Sequence, residues 1–131
     1  MARRIRNINA RLQQIGRRST EVQLQEIREV LVDLYWLASR FKTRQTGDYN
    51  ITGEVRYESV TMANTSAATV TMVDFPEDQA QVSVKRTDAQ VTIDFNGKTY
   101  GPTGASTLII NTVGDCPTLE FDEDDNEWWP I

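Results

Sequence analysis

The stretch "VTIDFNGK", residues 91–98, decides how the second half of this chain is read. Val91, Ile93 and Phe95 alternate with Thr92 and Asp94, the period of two that marks a strand with one buried face. Asn96 and Gly97 follow, the pair best suited to positive φ at both central residues of a type I′ turn. The stretch therefore predicts a strand running into a tight hairpin. The same alternation recurs in Glu54-Val55-Arg56-Tyr57-Glu58, Val70-Thr71-Met72 and Val82-Ser83-Val84. Leu108-Ile109-Ile110 and Leu119-Glu120-Phe121 give two further candidate strands. Between them lie "ANTSAA", "FPEDQAQ", "GPTGAS" and "GDCP", all rich in turn-forming residues. About six short strands with no helical pattern between them predict an antiparallel β-sandwich or small β-barrel over residues 46–121. No internal repeat is visible.

Upstream the period is helical. Ile5, Ile8, Leu12 and Ile15 form an a/d heptad seam, with Arg4, Arg11 and Arg18 at the flanking g position. Isoleucine at both a and d disfavours two strands and favours three or four. A helix of about 12 to 15 residues is marginal alone in water, so this one needs a partner surface. The seam breaks at Gly16, and Thr20 with Gln23 has capping-box spacing for a fresh start. The second helix has its own phase: Leu24, Ile27, Leu31 and Leu34, then Ala38 and Phe41, widened by Val30, Tyr35, Trp36 and Leu37. That width means packing on two sides, either within the chain or between copies. The expected class is therefore α+β: two helices, about 3–16 and 20–42, in a basic arm of residues 1–45, then the antiparallel β domain.

Charge divides the same way. Residues 1–45 carry ten Arg or Lys against four acids, and residues 46–131 carry four against fifteen. Such asymmetry points to an acidic partner for the arm, or to the two parts binding each other. No run resembles a signal peptide or a membrane span, so a protein made in the cytoplasm and not bound to membranes is expected. The lone Cys116 excludes an internal disulfide and is expected as a small buried apolar group. There is no histidine, which removes the usual general base and the commonest transition-metal ligand. No GK[ST] follows the glycines of "GPTG", so no phosphate-binding loop is indicated. No catalytic set, cofactor site or metal site is expected.

The chain closes on "DEDDNEWWPI", residues 122–131. Asp122, Asp124 and Asn126 match positions 1, 3 and 5 of a calcium loop, but Glu127 stands where glycine is needed. Adjacent indoles left in water would be a costly apolar exposure. Trp128 and Trp129 are therefore read as anchors of an acidic docking tail over 122–131; the alternative is that one of them merely closes the bottom of the β domain.

This layout of helical arm, β domain and anchoring tail resembles small virion structural proteins of tailed bacteriophages, the head-decoration (cement) and short fibre proteins. The resemblance is one of architecture over the whole chain and assigns no residue a role. It implies a non-enzymatic virion structural protein, a homotrimer that attaches or oligomerises through its N-terminal helices, touches other virion proteins and displays a β domain. Two other readings stand beside it. One is nucleic-acid binding by the arm's arginines through counterion release; the other is a carbohydrate- or surface-binding β module.

Overall fold

The computed structural model describes residues 10, 12 and 20–131, and the chain forms two units, Met1–Ser39 and Arg40–Ile131. In the first unit a single helix, α1, runs Thr20–Ala38. Glu21 in its first turn complements the helix dipole. At its other end the Trp36 carbonyl accepts from both Ser39 N–H at 3.0 Å and Ser39 Oγ at 2.6 Å, which satisfies one acceptor of the last turn. The helix expected over 20–42 thus stops at Ala38, and Arg40 opens a strand. The helix expected over 3–16, with Ile5, Ile8, Ile15, Arg4, Arg11 and Arg18, lies outside the described residues. Of that span residues 10 and 12 are described, and both are helical.

The second unit contains ten strands: β1 Arg40–Gln45, β2 Tyr49–Asn50, β3 Tyr57–Met62, β4 Ala68–Thr71, β5 Gln81–Arg86, β6 Val91–Asp94, β7 Thr99–Tyr100, β8 Thr107–Ile110, β9 Thr118–Asp122 and β10 Glu127–Pro130. They form a six-stranded sheet, ordered β1-β3-β5-β9-β10-β7, and a four-stranded sheet, ordered β2-β4-β6-β8. The pairs β1–β3, β3–β5, β2–β4 and β4–β6 are all parallel. This overturns the antiparallel sandwich or barrel and the α+β class with it: the described chain is mostly β, in two open mixed sheets.

The connectivity explains how parallel strands arise here without crossover helices. From β1 to β8 the chain alternates between the sheets, so each strand of one sheet serves as the crossover for the other. The first six strands are three coils wound through both sheets in the manner of a β-solenoid. Antiparallel strands then close them, β8 lying on β6 and β9 on β5.

The turn at residues 95–98 shows the error in miniature. Asn96 and Gly97 both have positive φ, 52° and 86°, and Lys98 N–H donates to the Phe95 carbonyl at 3.2 Å. The turn forms as its residues require. Its flanking strands do not pair, however: β6 belongs to the four-stranded sheet and β7 to the six-stranded one. The turn passes the chain between sheets, with Phe95 and Tyr100 stacked across it at 5.9 Å.

One face of each sheet is buried. Val60, Met62, Val82, Val84, Leu119, Phe121 and Trp128 come from the larger sheet, and Val70, Val91, Ile93 and Ile110 from the smaller. These faces meet, as the hydrogen bond from Tyr49 on β2 to Glu58 on β3 shows. At one corner the buried Asn64 donates through Nδ2 to the carbonyls of Ser66 and Gln90, at 2.8 and 3.1 Å, tying one coil to the next. No described helix is long and apolar enough to cross a membrane.

Candidate functional site

On α1 the covered and open faces are the reverse of what composition favours. Gln23, Glu26, Val30, Asp33, Trp36 and Leu37 form the shielded side, with Val30 fully buried. The side carrying the seam, Leu24, Ile27, Leu31 and Leu34, is 41–57% exposed, and Tyr35 beside it is 81% exposed. Leu12, the one described member of the upstream seam, is exposed as well. A monomer would gain by turning its leucines inward and its carboxylates outward. This arrangement leaves an apolar stripe of heptad spacing open along a helix about 28 Å long.

The other expected anchors lie inside the β unit. Residues 122–131 are not a separate tail: β10 pairs antiparallel with β9, Trp128 opposite Phe121 and Trp129 opposite Glu120. Trp128 is fully buried, its ring 5.3 Å from that of Phe121. Trp129 faces outward over Gly101, where any Cβ would lie inside the indole. Trp128 thus packs inside the β unit, whereas Trp129 stays partly exposed on its surface. The acids before them shape a turn, in which Asp122 Oδ1 accepts from Asp124 N–H at 2.9 Å and Asn126 has φ 58°. Among the described residues no group of three or more His, Cys, Asp or Glu is placed to hold a metal ion. Cys116, expected to be buried, is exposed.

Glu58 was not legible in the sequence as a special residue. It is a carboxylate buried between the sheets. Thr52 Oγ1 donates to it at 2.7 Å, Thr52 N–H at 3.0 Å and Tyr49 Oη at 3.1 Å. Burial, then the charge of Glu58, then that hydrogen bond push the Tyr49 phenol from 10.0 up to about 12. This donor set ties both carboxylate oxygens to the turn between β2 and β3. It acts as a structural clamp between β2 and β3.

No family model matches this chain, and no curated protein matches it. Among solved structures, one described as a chaperone-substrate complex contains a chain with 14% identity and a TM-score of 0.43. That match covers 72% of this chain but 14% of the other, a likeness too slight to bear on fold or function.

Proposed function

We propose that the protein is a non-enzymatic structural component of virion type, a homotrimer held through its helical arm and displaying the β unit. The observation that carries this reading is the open seam on α1. Leu24 and Leu31 fall at a positions, and Ile27 and Leu34 at d, the 3-4 spacing of a helix that packs against copies of itself. Leucine at a with isoleucine at d favours three or four strands over two. The β unit supports the same division of labour. Its core is closed within one chain, so it needs no partner in order to fold and can be carried as cargo.

Size-exclusion chromatography with light scattering on the full chain tests this. The wild type should run as a trimer at tens of micromolar. Ile27→Gln with Leu31→Gln should run as a monomer whose β unit still melts cooperatively. A wild type that stays monomeric, or a double variant that stays trimeric, overturns the reading.

A further inference from the structure

The outer face of the six-stranded sheet carries a second feature, independent of the helix. Tyr57, Ser59 and Thr61 alternate with the buried residues of β3, as Gln81, Ser83 and Lys85 do on β5. Their register partners on β1 are Arg40, Lys42 and Arg44. Nine outward side chains thus form a grid: Arg-Lys-Arg on the edge strand, Tyr-Ser-Thr beside it, and Gln-Ser-Lys beyond.

Chance does not favour this composition. Residues 40–131 contain seven Lys or Arg against fifteen Asp or Glu. Four of those seven cations stand on the grid, and none of the fifteen acids does. Arg40, Lys42, Arg44 and Lys85 are all exposed. A shallow depression of about 260 Å³ lies over the grid, lined by Lys42, Ser59, Thr61, Ser83 and Lys85 among others. The edge cations also protect the outer edge of β1 from sheet-to-sheet aggregation, which accounts for Arg40, Lys42 and Arg44. It does not account for Lys85, two strands in from that edge, or for the hydroxyls between.

We infer that this grid is a binding site for a linear acidic polysaccharide, one bearing carboxylate or sulfate groups. Alternate residues along β1 stand about 6.6 Å apart, and adjacent strands about 4.8 Å. A polymer lying along the strands would meet one edge cation after another, with Lys85 on its opposite side. The floor of Ser59, Thr61 and Ser83 both donates and accepts hydrogen bonds, as sugar hydroxyls do. Beyond β5 the face turns acidic with Glu120, Asp122 and Glu127, while Gln81 and Ser83 bond to Glu120 and Thr118 at 3.2 and 2.7 Å. That boundary confines a polyanion to β1, β3 and β5. Nucleic acid is the poorer fit. The one aromatic on the grid, Tyr57, has Arg40 over its ring at 4.6 Å and Arg56 at 4.8 Å, so it offers no free platform for a base.

The test is calorimetric titration of the full chain with polygalacturonate, dextran sulfate, neutral dextran and a single-stranded oligonucleotide at fixed salt. Arginines at residues 3–18 attract any polyanion, so variants carry the decision. Lys42→Glu with Lys85→Glu should weaken binding of both acidic polysaccharides at least tenfold, and Lys42→Gln with Lys85→Gln should weaken it less. Lys98→Glu, off the grid, should leave it within twofold. Neutral dextran should not bind, and the oligomeric state should be the same in every variant. Unchanged polysaccharide affinity in the double Glu variant overturns the inference. So does grid-dependent binding of the oligonucleotide tighter than that of either polysaccharide, or equal binding of neutral dextran.

Discussion

The helix and the β unit treat apolar side chains in opposite ways. The β unit turns most of its valines, methionines and aromatics inward on both sheets, leaving a scattered few large ones in water: Phe41 on β1, Phe75 and Val113 on loops, Ile109 on β8, Trp129 over Gly101, and Ile131. The helix leaves a whole row of Leu and Ile open while shielding Gln23, Glu26 and Asp33. One region buries most of its apolar side chains and the other leaves a row of them open. On the proposed reading, folding energy and assembly energy sit in different residues, which makes them separable by mutation.

Trp128 offers the largest expected effect. Trp128→Ala removes a fully buried indole from the closing strand and should cost about 3–5 kcal/mol, counting transfer and cavity terms. Trp128→Phe should cost less, since it keeps an aromatic ring, though a smaller one, and removes an Nε1–H that has no hydrogen-bond partner among the described residues. Thermal melts of the two variants check the ranking. A Trp128→Ala protein that melts like the wild type would mean β10 is dispensable, and the contrast between a closed unit and an open helix would fail.

Glu58 comes next. Glu58→Ala strands the Thr52 amide and the Tyr49 hydroxyl and should cost on the order of 1–3 kcal/mol. The pair also predicts a pH dependence. The folded protein holds the Tyr49 phenol near 12 against 10.0 for an ordinary tyrosine, so folding favours the protonated form. That stabilisation is complete below about pH 10 and is lost as pH rises from 10 toward 12. Tyr49→Phe should flatten the fall in melting temperature across this window. An equally steep fall in the variant would assign the alkaline transition to another group.

The sequence was most informative where a local rule decided the outcome, and least where a distant partner did. Asn96-Gly97 makes its turn whichever strands surround it, but a turn cannot specify which strand its neighbours will pair with. Hairpin and sheet-to-sheet corner look alike from within residues 91–98. The coils left no visible repeat because their spacing is unequal: Arg40 stacks on Tyr57 and Tyr57 on Gln81, through corners of different length. β1 was hidden because Arg-Phe-Lys-Thr-Arg-Gln has one apolar side chain, and Phe41 also fits the helical spacing from Leu34. Glu58 was misplaced for a related reason. The alternation in residues 54–58 puts Val55 and Tyr57 inward, whereas Val60 and Met62 set the phase of β3 and carry Glu58 inward with them. The cationic grid needed the register of three strands and could not be assembled from any one of them.

The smallest expected effect on the β unit is also the sharpest test of the contrast. Replacing Ile27, Leu31 and Leu34 together by Gln alters surface that is already in water within one chain. The β unit should therefore melt within about 0.5 kcal/mol of the wild type. The helical signal should behave otherwise. If copies cover the seam, helix content follows mass action and falls on dilution, because a helix deprived of its packing surface is marginal. Circular dichroism at the helical minimum, from tens of micromolar to tens of nanomolar, should show that fall in the wild type. In the triple variant it should show a low signal at every concentration, while the near-ultraviolet signal of Trp128 stays constant in both. A wild-type helix that keeps its full signal at the lowest concentration would mean that one chain suffices to hold it, and the seam would then be surface without a partner.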